Sequence, residues 1–318
     1  MSDIRVSVVI VGYNSGHMIE ECLRGLDNTP QLEIVLVDNC SNDDTIAVFE
    51  RVVPGGVVVA RTSNDGFAVA VNDGVRASSG QNVLLLNPDA LVSPDQVLRL
   101  ADLLDSTNGV GIVAPVVASD GAGHATVPAG HFPSIYRMAL HASGLSRLGR
   151  ISKRFEGHYL LTRDLRGGVI AVDWVTGGCM MVSRTAWMDI GGLTERWFMY
   201  AEDIEFCWRA EKADIGRLLV LDETIQHAIG GSSKGIDGRL NSAWVVNLFD
   251  FYVTSMSRGR VSAECWRLSV ILGFLLRAGA YKAQNLTSQR GKERSSWNVR
   301  RYLGYSKALM AAPVSMRD

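Results

Sequence analysis

The sequence has few residues that could cross-link the chain or bind a metal through sulfur. Its 318 residues include five cysteines, and no two of them form a Cys-x-x-Cys pair. This odd, scattered set indicates neither a disulfide framework nor a cysteine zinc site, and it is typical of reduced thiols in a cytoplasm. Only 8 prolines accompany 32 glycines, and 47% of the residues are hydrophobic. These values exclude a collagen-like, low-complexity or wholly disordered chain.

Long apolar runs are also scarce. The longest one near the C-terminus covers residues 268–276, whereas a membrane-spanning helix needs about 20 residues. The first residues lead directly into a strand-like segment, without the separate apolar region and cleavage site of a signal peptide. We therefore expect a cytoplasmic protein that is soluble or bound peripherally at the cytoplasmic face of a membrane.

The chain as a whole carries almost no net charge, whereas parts of it carry an excess of one sign. The formal net charge is −1, which disfavours a nucleic-acid-binding protein. Residues 258–318 nevertheless contain 12 Lys and Arg against 3 Asp and Glu, a net charge of +9. A basic tail on an acidic body predicts contact with an anionic partner such as a phospholipid surface, although a merely solubilising C-terminus fits as well.

Apolar runs and helical periodicities alternate along roughly the first third of the chain. Continuous β-branched and leucine runs predict buried strands at 6–11, 34–37, 57–60 and 83–86, with amphipathic helices between them. This alternation is typical of a Rossmann-like α/β fold, a mostly parallel sheet with helices on both faces. Later segments predict strand character over 172–182, a short helix over 202–212 and helices beyond residue 242. Before these segments, residues 118–171 contain several basic residues and few acidic ones.

Polar side chains follow the predicted strands at the points where the strands end. In open parallel sheets, ligands bind beyond the carboxyl ends of the strands. Asp and Asn also favour turns and caps, but their repetition at four strand ends predicts a ligand site. The residues in question are Tyr13, Asn14, Asp38, Asn39, Asn64, Asp65, Asn87 and Asp89.

The phosphate-binding loop GxxxxGK[ST] is absent, and no GxGxxG follows the first strand, which disfavours P-loop enzymes and dinucleotide dehydrogenases. Carboxylates and a histidine remain as candidates. Asp89 at a strand end suits a hard divalent cation that also binds phosphate oxygens. Asp203 lies at a predicted helix start and is the sharper candidate for a base, whereas Glu202 and Glu205 share a helical face with Arg209 and are interpreted as structural ion partners.

An ordered set of motifs carries a family resemblance. The sequence resembles family 2 glycosyltransferases, and in particular their rhamnosyltransferase-like branch. The resemblance implies a GT-A fold, a nucleotide-sugar donor, a divalent metal (Mg²⁺ or Mn²⁺) and inversion at the anomeric carbon. The motifs are VVIVGYNS at 8–15, VDNCSNDDT at 37–45, NxGFAxAxNxG at 64–74, LLLNPD at 84–89, TGG at 176–178, GGL at 191–193, FMYxEDxE at 198–205, and His227 downstream.

The resemblance also implies site roles. Asp203 corresponds to the catalytic base, Asp38 to the residue that reads the donor's pyrimidine, and Asp89 and His227 to metal or diphosphate ligands. One carboxylate of the family's DxD motif is replaced by Asn87, which leaves a lighter metal shell. The remaining substrate-binding residues are expected to be Tyr13 and Asn14 beside the base, Asn64, Gly66 and Asn72 along the nucleotide or sugar, and Gly178, Trp197, Phe198 and Glu202 near the reacting groups, with the aromatic run as an apolar platform for a sugar ring.

The resemblance implies transfer of L-rhamnose from dTDP-L-rhamnose to a lipid-linked saccharide in cell-envelope polysaccharide synthesis. A UDP-sugar donor is the alternative within the class. A sugar nucleotidyltransferase, which usually has a basic glycine-rich first loop, and a non-catalytic sugar-nucleotide binder are alternatives outside it. We expect a GT-A catalytic domain over 1–240, with 118–171 as a basic acceptor-side insertion, and a basic, amphipathic helical extension over 241–318. Homo-oligomerisation is left open.

Overall fold

The structure, a computed structural model, describes residues 4–119, 125–126, 129–160, 167–227, 241–287 and 292–314. The chain divides into two compact units. The sheet unit comprises Met1–Ala129 and Asp164–Lys234, and the helical unit comprises Gly130–Arg163 and Gly235–Asp318. This division differs from the sequence-based one, because residues 130–163 of the expected insertion belong with the C-terminal helices. Residues 120–124, 127–128 and 161–166 of that insertion lie outside the described residues.

The elements follow one another in the order expected for an α/β protein with helices at its C-terminus. The strands are β1 (Val6–Gly12), β2 (Leu32–Asp38), β3 (Val57–Ala60), β4 (Asn82–Leu86), β5 (Ala90–Leu91), β6 (Val110–Ser119), β7 (Ala125–Thr126), β8 (Ala129–Gly130), β9 (Val169–Ala171), β10 (Trp174–Val175), β11 (Cys179–Ser183) and β12 (Gly216–His227). The helices are α1 (Gly16–Cys22), α2 (Thr45–Val52), α3 (Phe67–Arg76), α4 (Pro94–Ser106), α5 (Ile135–Ser143), α6 (Arg184–Ile190), α7 (Glu202–Lys212), α8 (Ala243–Phe251), α9 (Arg260–Thr287) and α10 (Lys292–Ala311).

The sheet unit is built on one mixed sheet with the strand order β3-β2-β1-β4-β11-β6-β12-β5. Strands β3, β2, β1 and β4 are parallel, as the alternating pattern predicts. Beyond β4 the sheet becomes mixed, because β11 runs antiparallel to both β4 and β6, and β5 runs antiparallel to β12. The expectation of a mostly parallel sheet therefore holds for β3, β2, β1 and β4, whereas in the second half of the sheet the pairing of β6 with β12 is parallel and the others are antiparallel.

The register of the parallel strands places their ends together. Gly12 of β1 pairs with Asp38 of β2, and Ile10 of β1 pairs with Leu86 of β4. The polar residues that follow these strands consequently share one edge of the sheet. This edge is where ligands bind in open α/β sheets.

Helices cover both faces of the sheet, as expected. On one face, α1, α2 and α4 pack on a core that includes fully buried Ile10, Leu36 and Leu84. Helix α4 begins at a capping box between Ser93 and Gln96, followed by Pro94, which explains its sharp start. On the other face, α3 approaches the strands closely at Gly74, where an added Cβ would lie 2.5 Å from Val9 Cγ1.

The helical unit packs around aromatic side chains and small residues. Trp266 of α9 is fully buried, and its indole N–H donates to the carbonyl oxygen of Pro133 (2.6 Å). Gly273 lets α5 approach α9, because an added Cβ would lie 2.7 Å from Ala142 Cβ. This close packing is the reason that the α5 region groups with the C-terminal helices. Within the described residues, no helix is long and apolar enough to cross a membrane.

Candidate active site

The loops after β1 and β2 are joined by side-chain hydrogen bonds. Asn14 has a left-handed backbone (φ 52°), and its Oδ1 accepts from the amide of Asn42 (2.8 Å). The amide of Ser15 donates to Thr45 Oγ1 (2.8 Å). Asn14 therefore serves to hold the two loops together, whereas the Tyr13 side chain next to it is 44% exposed and available to a ligand. Direct contact of Asn14 with a donor remains a prediction.

Asp38 ends β2 with a buried carboxylate. Its Oδ2 accepts from the amide of Ser41 (3.0 Å), whereas its Oδ1 is buried and accepts no hydrogen bond from any residue that the structure describes. Burial of an oxygen without a donor is costly unless a ligand supplies one. Asp38 is thus equipped to receive an N–H group of a ligand, as its predicted role requires.

Asn39, which the motif comparison did not place among the site residues, connects Asp38 to the next loop. It is 3% exposed, and its Nδ2 donates to Asn64 Oδ1 (2.8 Å). Asn64 Oδ1 also accepts from the amide of Gly66 (3.2 Å). The side chain of Asn64 thereby fixes the turn that starts α3. The position of Asn39 directly after a buried strand is the sequence signal that could have marked it as a site residue.

Gly66 brings this turn against a distant part of the chain. Its φ is +104°, and an added Cβ would lie 2.8 Å from Phe198 Cα. The amide of Phe67 donates to the carbonyl oxygen of Phe198 (2.9 Å). Gly66 is therefore required for a close backbone approach, and its predicted contact with the donor stays a prediction.

Asn72 holds the 191–195 loop. Its Oδ1 accepts from the amide of Leu193 (2.9 Å), and its Nδ2 donates to Leu193 O and to Glu195 Oε1 (both 2.9 Å). Arg209 secures the same loop by donating to Gly192 O (2.7 Å). These contacts assign Asn72 a positioning role, and they do not show the predicted contact with nucleotide or sugar.

A strained turn sets the start of α7. Tyr200 and Ala201 both have left-handed backbones, with φ values of 74° and 81°. Left-handed conformations cost roughly 1–3 kcal/mol each for such residues and persist where the surroundings impose them. The turn places Glu202 and Asp203 in the first turn of α7. Neither Tyr nor Ala favours this conformation, so local sequence preference does not predict the turn.

Asp203 is held by backbone donors. Its Oδ2 accepts from the amide of Gly177 (3.1 Å), and its Oδ1 accepts from the amide of Ile204 (2.8 Å). Burial raises the pKa of Asp203, and the hydrogen bonds from Gly177 and Ile204 partly oppose that rise. The carboxylate is oriented and more basic than a free aspartate, which suits a general base.

The turn at 176–178 also connects Asp203 with the end of β4. The amide of Asn87 donates to Gly178 O (2.9 Å), one residue after the glycine that donates to Asp203. The expected strand over 172–182 is therefore divided into β10 and β11 by this turn. Gly178 contributes through its backbone, which brings the predicted base and the Asn-Pro-Asp motif into one connected structure.

Glu202 differs from the structural ion partner that its helical spacing suggests. It is 5% exposed, and its Oε2 has no hydrogen bond to any described residue. Burial, followed by the nearby charge of Asp203, raises the pKa of Glu202 to about 8. Glu205 alone forms the expected pair with Arg209 (2.8 Å). Glu202 is consequently protonated at neutral pH, and its interpretation as a partner of Arg209 is wrong.

Asp89 is 3% exposed and directly precedes β5. Ala90 pairs with His227 across β5 and β12, so the backbone of His227 lies beside the Asn-Pro-Asp motif; the His227 side chain is outside the described part of the chain. The described side chains contain no group of three His, Cys, Asp or Glu suited to a metal. Mg²⁺ often binds through one or two carboxylates plus substrate phosphates, so Asp89 fits a metal site that a ligand's phosphates complete.

The aromatic run before α7 is divided between core and surface. Trp197 is 8% exposed, so its ring belongs to the interior. Phe198 is 56% exposed and Met199 is 38% exposed. The apolar surface beside the site is therefore supplied by Phe198 and Met199, and Trp197 does not form the exposed platform that the sequence suggested.

Comparison with known proteins identifies the class to which this fold and site belong. Residues 7–187 match Glycosyl transferase family 2, and the chain belongs to that family. It is a glycosyltransferase with a GT-A-like sheet unit and C-terminal helices, which confirms the predicted family, fold class and enzyme class. The nucleotidyltransferase and the non-catalytic binder are thereby set aside.

Two curated relatives are similar over about two thirds of the chain. The low-salt glycan biosynthesis hexosyltransferase Agl10 of Haloferax volcanii is 29% identical over 232 residues, which cover 68% of this chain and 66% of that protein. The N-acetylglucosaminyl-diphospho-decaprenol L-rhamnosyltransferase of Mycobacterium tuberculosis is 28% identical over 227 residues, covering 67% of this chain and 72% of the relative.

Solved structures show the same fold at low identity. The mannosyltransferase PcManGT from Pyrobaculum calidifontis, in complex with GDP-Man and Mn²⁺, has a TM-score of 0.59 at 18% identity, covering 97% of this chain and 85% of that one. TarS residues 1–349 from S. aureus, in complex with UDP-GlcNAc, has a TM-score of 0.55 at 14% identity, covering 98% and 82%. These similarities establish the fold.

The approach of Gly66 to Phe198 gives a stability prediction. Gly66→Ala should lower the free energy of unfolding by more than the about 1–2 kcal/mol that a left-handed alanine costs, because its methyl group also meets backbone atoms. Gly55→Ala is the matched control, since Gly55 has a φ of +94° and open space at its Cβ position. Urea unfolding of both variants measures the difference, and equal losses would contradict a close-contact role.

The raised pKa of Glu202 predicts a pH dependence of stability. The native protein holds this proton more tightly than the unfolded chain, so the stabilisation is complete below the ordinary pKa of 4.5 and is lost as pH rises through about 8. Glu202→Gln should reduce the fall in Tm over that range, because glutamine stays neutral. Glu205→Gln serves as control and should leave the pH dependence in place. Parallel Tm–pH curves for wild type and Glu202→Gln would refute the assignment.

Proposed function

We propose that this glycosyltransferase transfers L-rhamnose, with inversion, from dTDP-L-rhamnose to a lipid-linked saccharide in cell-envelope polysaccharide synthesis. The observation that carries the proposal is the backbone connection from Asn87 through Gly178 and Gly177 to Asp203, which ties a basic carboxylate to the strand end that bears Asp89. The choice of sugar and acceptor is supported by the 28% identical rhamnosyltransferase of M. tuberculosis and by the sequence motifs.

Asp38 recognises the pyrimidine of the donor. Its open Oδ1 is positioned to accept from the N3–H group that thymine and uracil share. The Tyr13 side chain, 44% exposed at the end of β1, offers a surface against which the base can pack. Asn39, Asn64 and Gly66 keep the neighbouring loop in place on the other side of Asp38.

Asp203 removes the proton from the acceptor hydroxyl while the acceptor oxygen attacks the anomeric carbon, in line with the departing diphosphate. The amides of Gly177 and Ile204 keep its carboxylate oriented, and burial strengthens its affinity for the proton. Glu202, protonated at neutral pH, can donate a hydrogen bond to a sugar hydroxyl. Phe198 and Met199 supply the apolar surface for a sugar ring. This chemistry requires no nucleophile from the protein.

Asp89 and His227 are the proposed protein ligands of a divalent metal, Mg²⁺ or Mn²⁺. When bound, such a metal would stabilise the negative charge that develops on the departing diphosphate. The burial of Asp89 and the pairing of Ala90 with His227 support this assignment. The single carboxylate in Asn-Pro-Asp leaves most of the coordination sphere to the donor's own phosphates and to water.

A lipid-linked acceptor implies that sugar transfer takes place at a membrane surface. We propose a peripheral location at its cytoplasmic face, supported by the net charge of +9 in residues 258–318. Anionic headgroups would concentrate the protein where its acceptor resides, without any requirement for a membrane-spanning segment.

A UDP-sugar donor is the second candidate, because the open oxygen of Asp38 suits uracil as well as thymine. The TarS structure contains UDP-GlcNAc, which shows that the shared fold accommodates such a donor in that protein.

A panel of nucleotide sugars tests the donor. Tm should rise with dTDP-L-rhamnose in the presence of Mg²⁺ or Mn²⁺, because a ligand that binds only the native state stabilises it. UDP- and GDP-sugars provide the comparison, and preferential stabilisation by a UDP-sugar would transfer the assignment to the second candidate.

Two variants and a chelator serve as controls for the donor panel. Asp38→Asn replaces the carboxylate with a neutral amide, in which an NH2 donor takes the place of one oxygen acceptor. This variant should abolish the dTDP-dependent rise in Tm. Asp89→Ala and EDTA should each remove the metal-dependent part of that rise. Unchanged donor affinity in Asp89→Ala, with and without EDTA, would reject the metal role.

The assignment of the base predicts a split between turnover and donor binding. Asp203→Asn should lower kcat by about 10²–10⁴-fold, the usual contribution of a positioned general base. Its donor Kd should stay near the wild-type value, because the base acts on the acceptor hydroxyl. Glu205→Gln is the control and should mainly lower stability through loss of the pair with Arg209. Near-normal turnover of Asp203→Asn, or loss of donor binding instead, would show that Asp203 is not the base.

A further inference from the structure

Helix α9 exposes a continuous apolar face. Between Arg260 and Lys282, the most exposed side chains of α9 are apolar or a thiol, and Val261, Leu268 and Leu276 are 79%, 62% and 59% exposed. Spacings of mostly three and four residues put the exposed apolar side chains on one side of the helix over about 22 Å. We call this face the α9 stripe; its large members are Val261, Cys265, Leu268, Leu272, Leu275 and Leu276.

The exposed charges that border the α9 stripe are basic. Arg258 and Arg260 precede it, and Lys282 follows it. Inside the helix, Glu264 pairs with Arg267 through a 2.9 Å hydrogen bond. The stripe is therefore an apolar band with positive charge at both ends.

A second apolar and basic segment belongs to the same unit. Residues 145–155 follow α5, whose carbonyl at His141 accepts from Arg277 of α9 (3.3 Å), so the segment starts beside the α9 stripe. Large apolar and basic side chains interleave along it, as in amphipathic segments that lie in a membrane interface. The exposed members are Leu145, Arg147, Leu148, Arg150, Ile151, Lys153, Arg154 and Phe155.

We propose that the α9 stripe and residues 145–155 form a docking surface that inserts into the interface of an anionic phospholipid bilayer. Charge complementarity selects this occupant over a second copy of the chain. Pairing of two α9 stripes would bring cationic ends together in either relative direction, whereas anionic headgroups attract both ends. Each basic residue near such a surface strengthens binding about fivefold.

The surface lies parallel to the bilayer in this arrangement, with the leucines at the boundary between headgroups and acyl chains. The proposal deepens the peripheral association described above and rests on it. Its test uses neither sugar donor nor acceptor, so failure of membrane docking and failure of sugar transfer are distinguishable.

Vesicle co-sedimentation of the full chain tests the proposal. Wild type should bind phosphatidylcholine vesicles that contain phosphatidylglycerol, and added salt should weaken the binding. Leu268→Gln combined with Leu272→Gln should weaken it by about tenfold per leucine, because two exposed leucines lose their burial in the interface. Met188→Gln is the matched control, since Met188 is 70% exposed on the sheet unit.

A fluorescent probe provides a measurement that does not depend on the double variant. Cys265 is the exposed cysteine and lies within the α9 stripe, whereas Cys22, Cys179 and Cys207 are buried. An environment-sensitive maleimide on Cys265, in a Cys40→Ser background, should shift its emission to the blue when anionic vesicles are added.

Any one of the following results would overturn the proposal. The first is wild-type protein that does not sediment with anionic vesicles. The second is a folded double variant that binds them as tightly as wild type, or a Cys265 probe whose emission is unchanged in bound protein. The third is a dimer in sedimentation velocity that the double variant dissociates, because the stripe would then be an interface between two copies.

Discussion

The close packing of Gly66 against the backbone of Phe198 is the contact on which the site depends. It exists because Gly66 adopts a φ of +104°, which brings the start of α3 within hydrogen-bonding distance of the segment before α7. Asn39 and Asn64 extend this contact toward Asp38. On its other side the chain continues through the left-handed Tyr200 and Ala201 into α7. The residues proposed to recognise a donor and the proposed base are thus held by one short chain of contacts.

The buried carboxyl groups of the site have different environments and so different properties. Asp203 receives two backbone N–H groups, and Asp38 receives one and keeps the other oxygen open. Glu202 receives no hydrogen bond on Oε2 from the described residues, and burial beside Asp203 keeps it protonated. A neighbouring pair with unequal donors is how proteins divide acid and base roles between two carboxyl groups. In the proposed mechanism, the adjacent residues Glu202 and Asp203 form such a pair.

The two units carry different physical features. The sheet unit buries the polar residues Asp38 and Asp89 at the ends of its strands and carries Glu202 and Asp203 in the first turn of α7. The helical unit has an aromatic core around Trp266 and leaves leucines of α9 on its surface. Exposed leucines between basic residues would be a liability in water, and they match the amphiphilic surface of a bilayer. In the two proposals above, the sheet unit carries the chemistry and the helical unit attaches the protein to a membrane.

The sequence by itself determined the features that depend on neighbouring residues. Apolar runs defined the parallel strands, and the strand-end residue Asp38 and the helix-start residue Asp203 were predicted as site residues from their motifs. Only the tertiary structure decided what depends on distant contacts. Examples are the antiparallel insertion of β11, the joining of residues 130–163 to the C-terminal helices, and the use of Asn72 as a clamp. The strained turn at Tyr200 and Ala201 and the isolation of Glu202 from Arg209 belong to the same group, because packing and burial, and not local propensity, impose them.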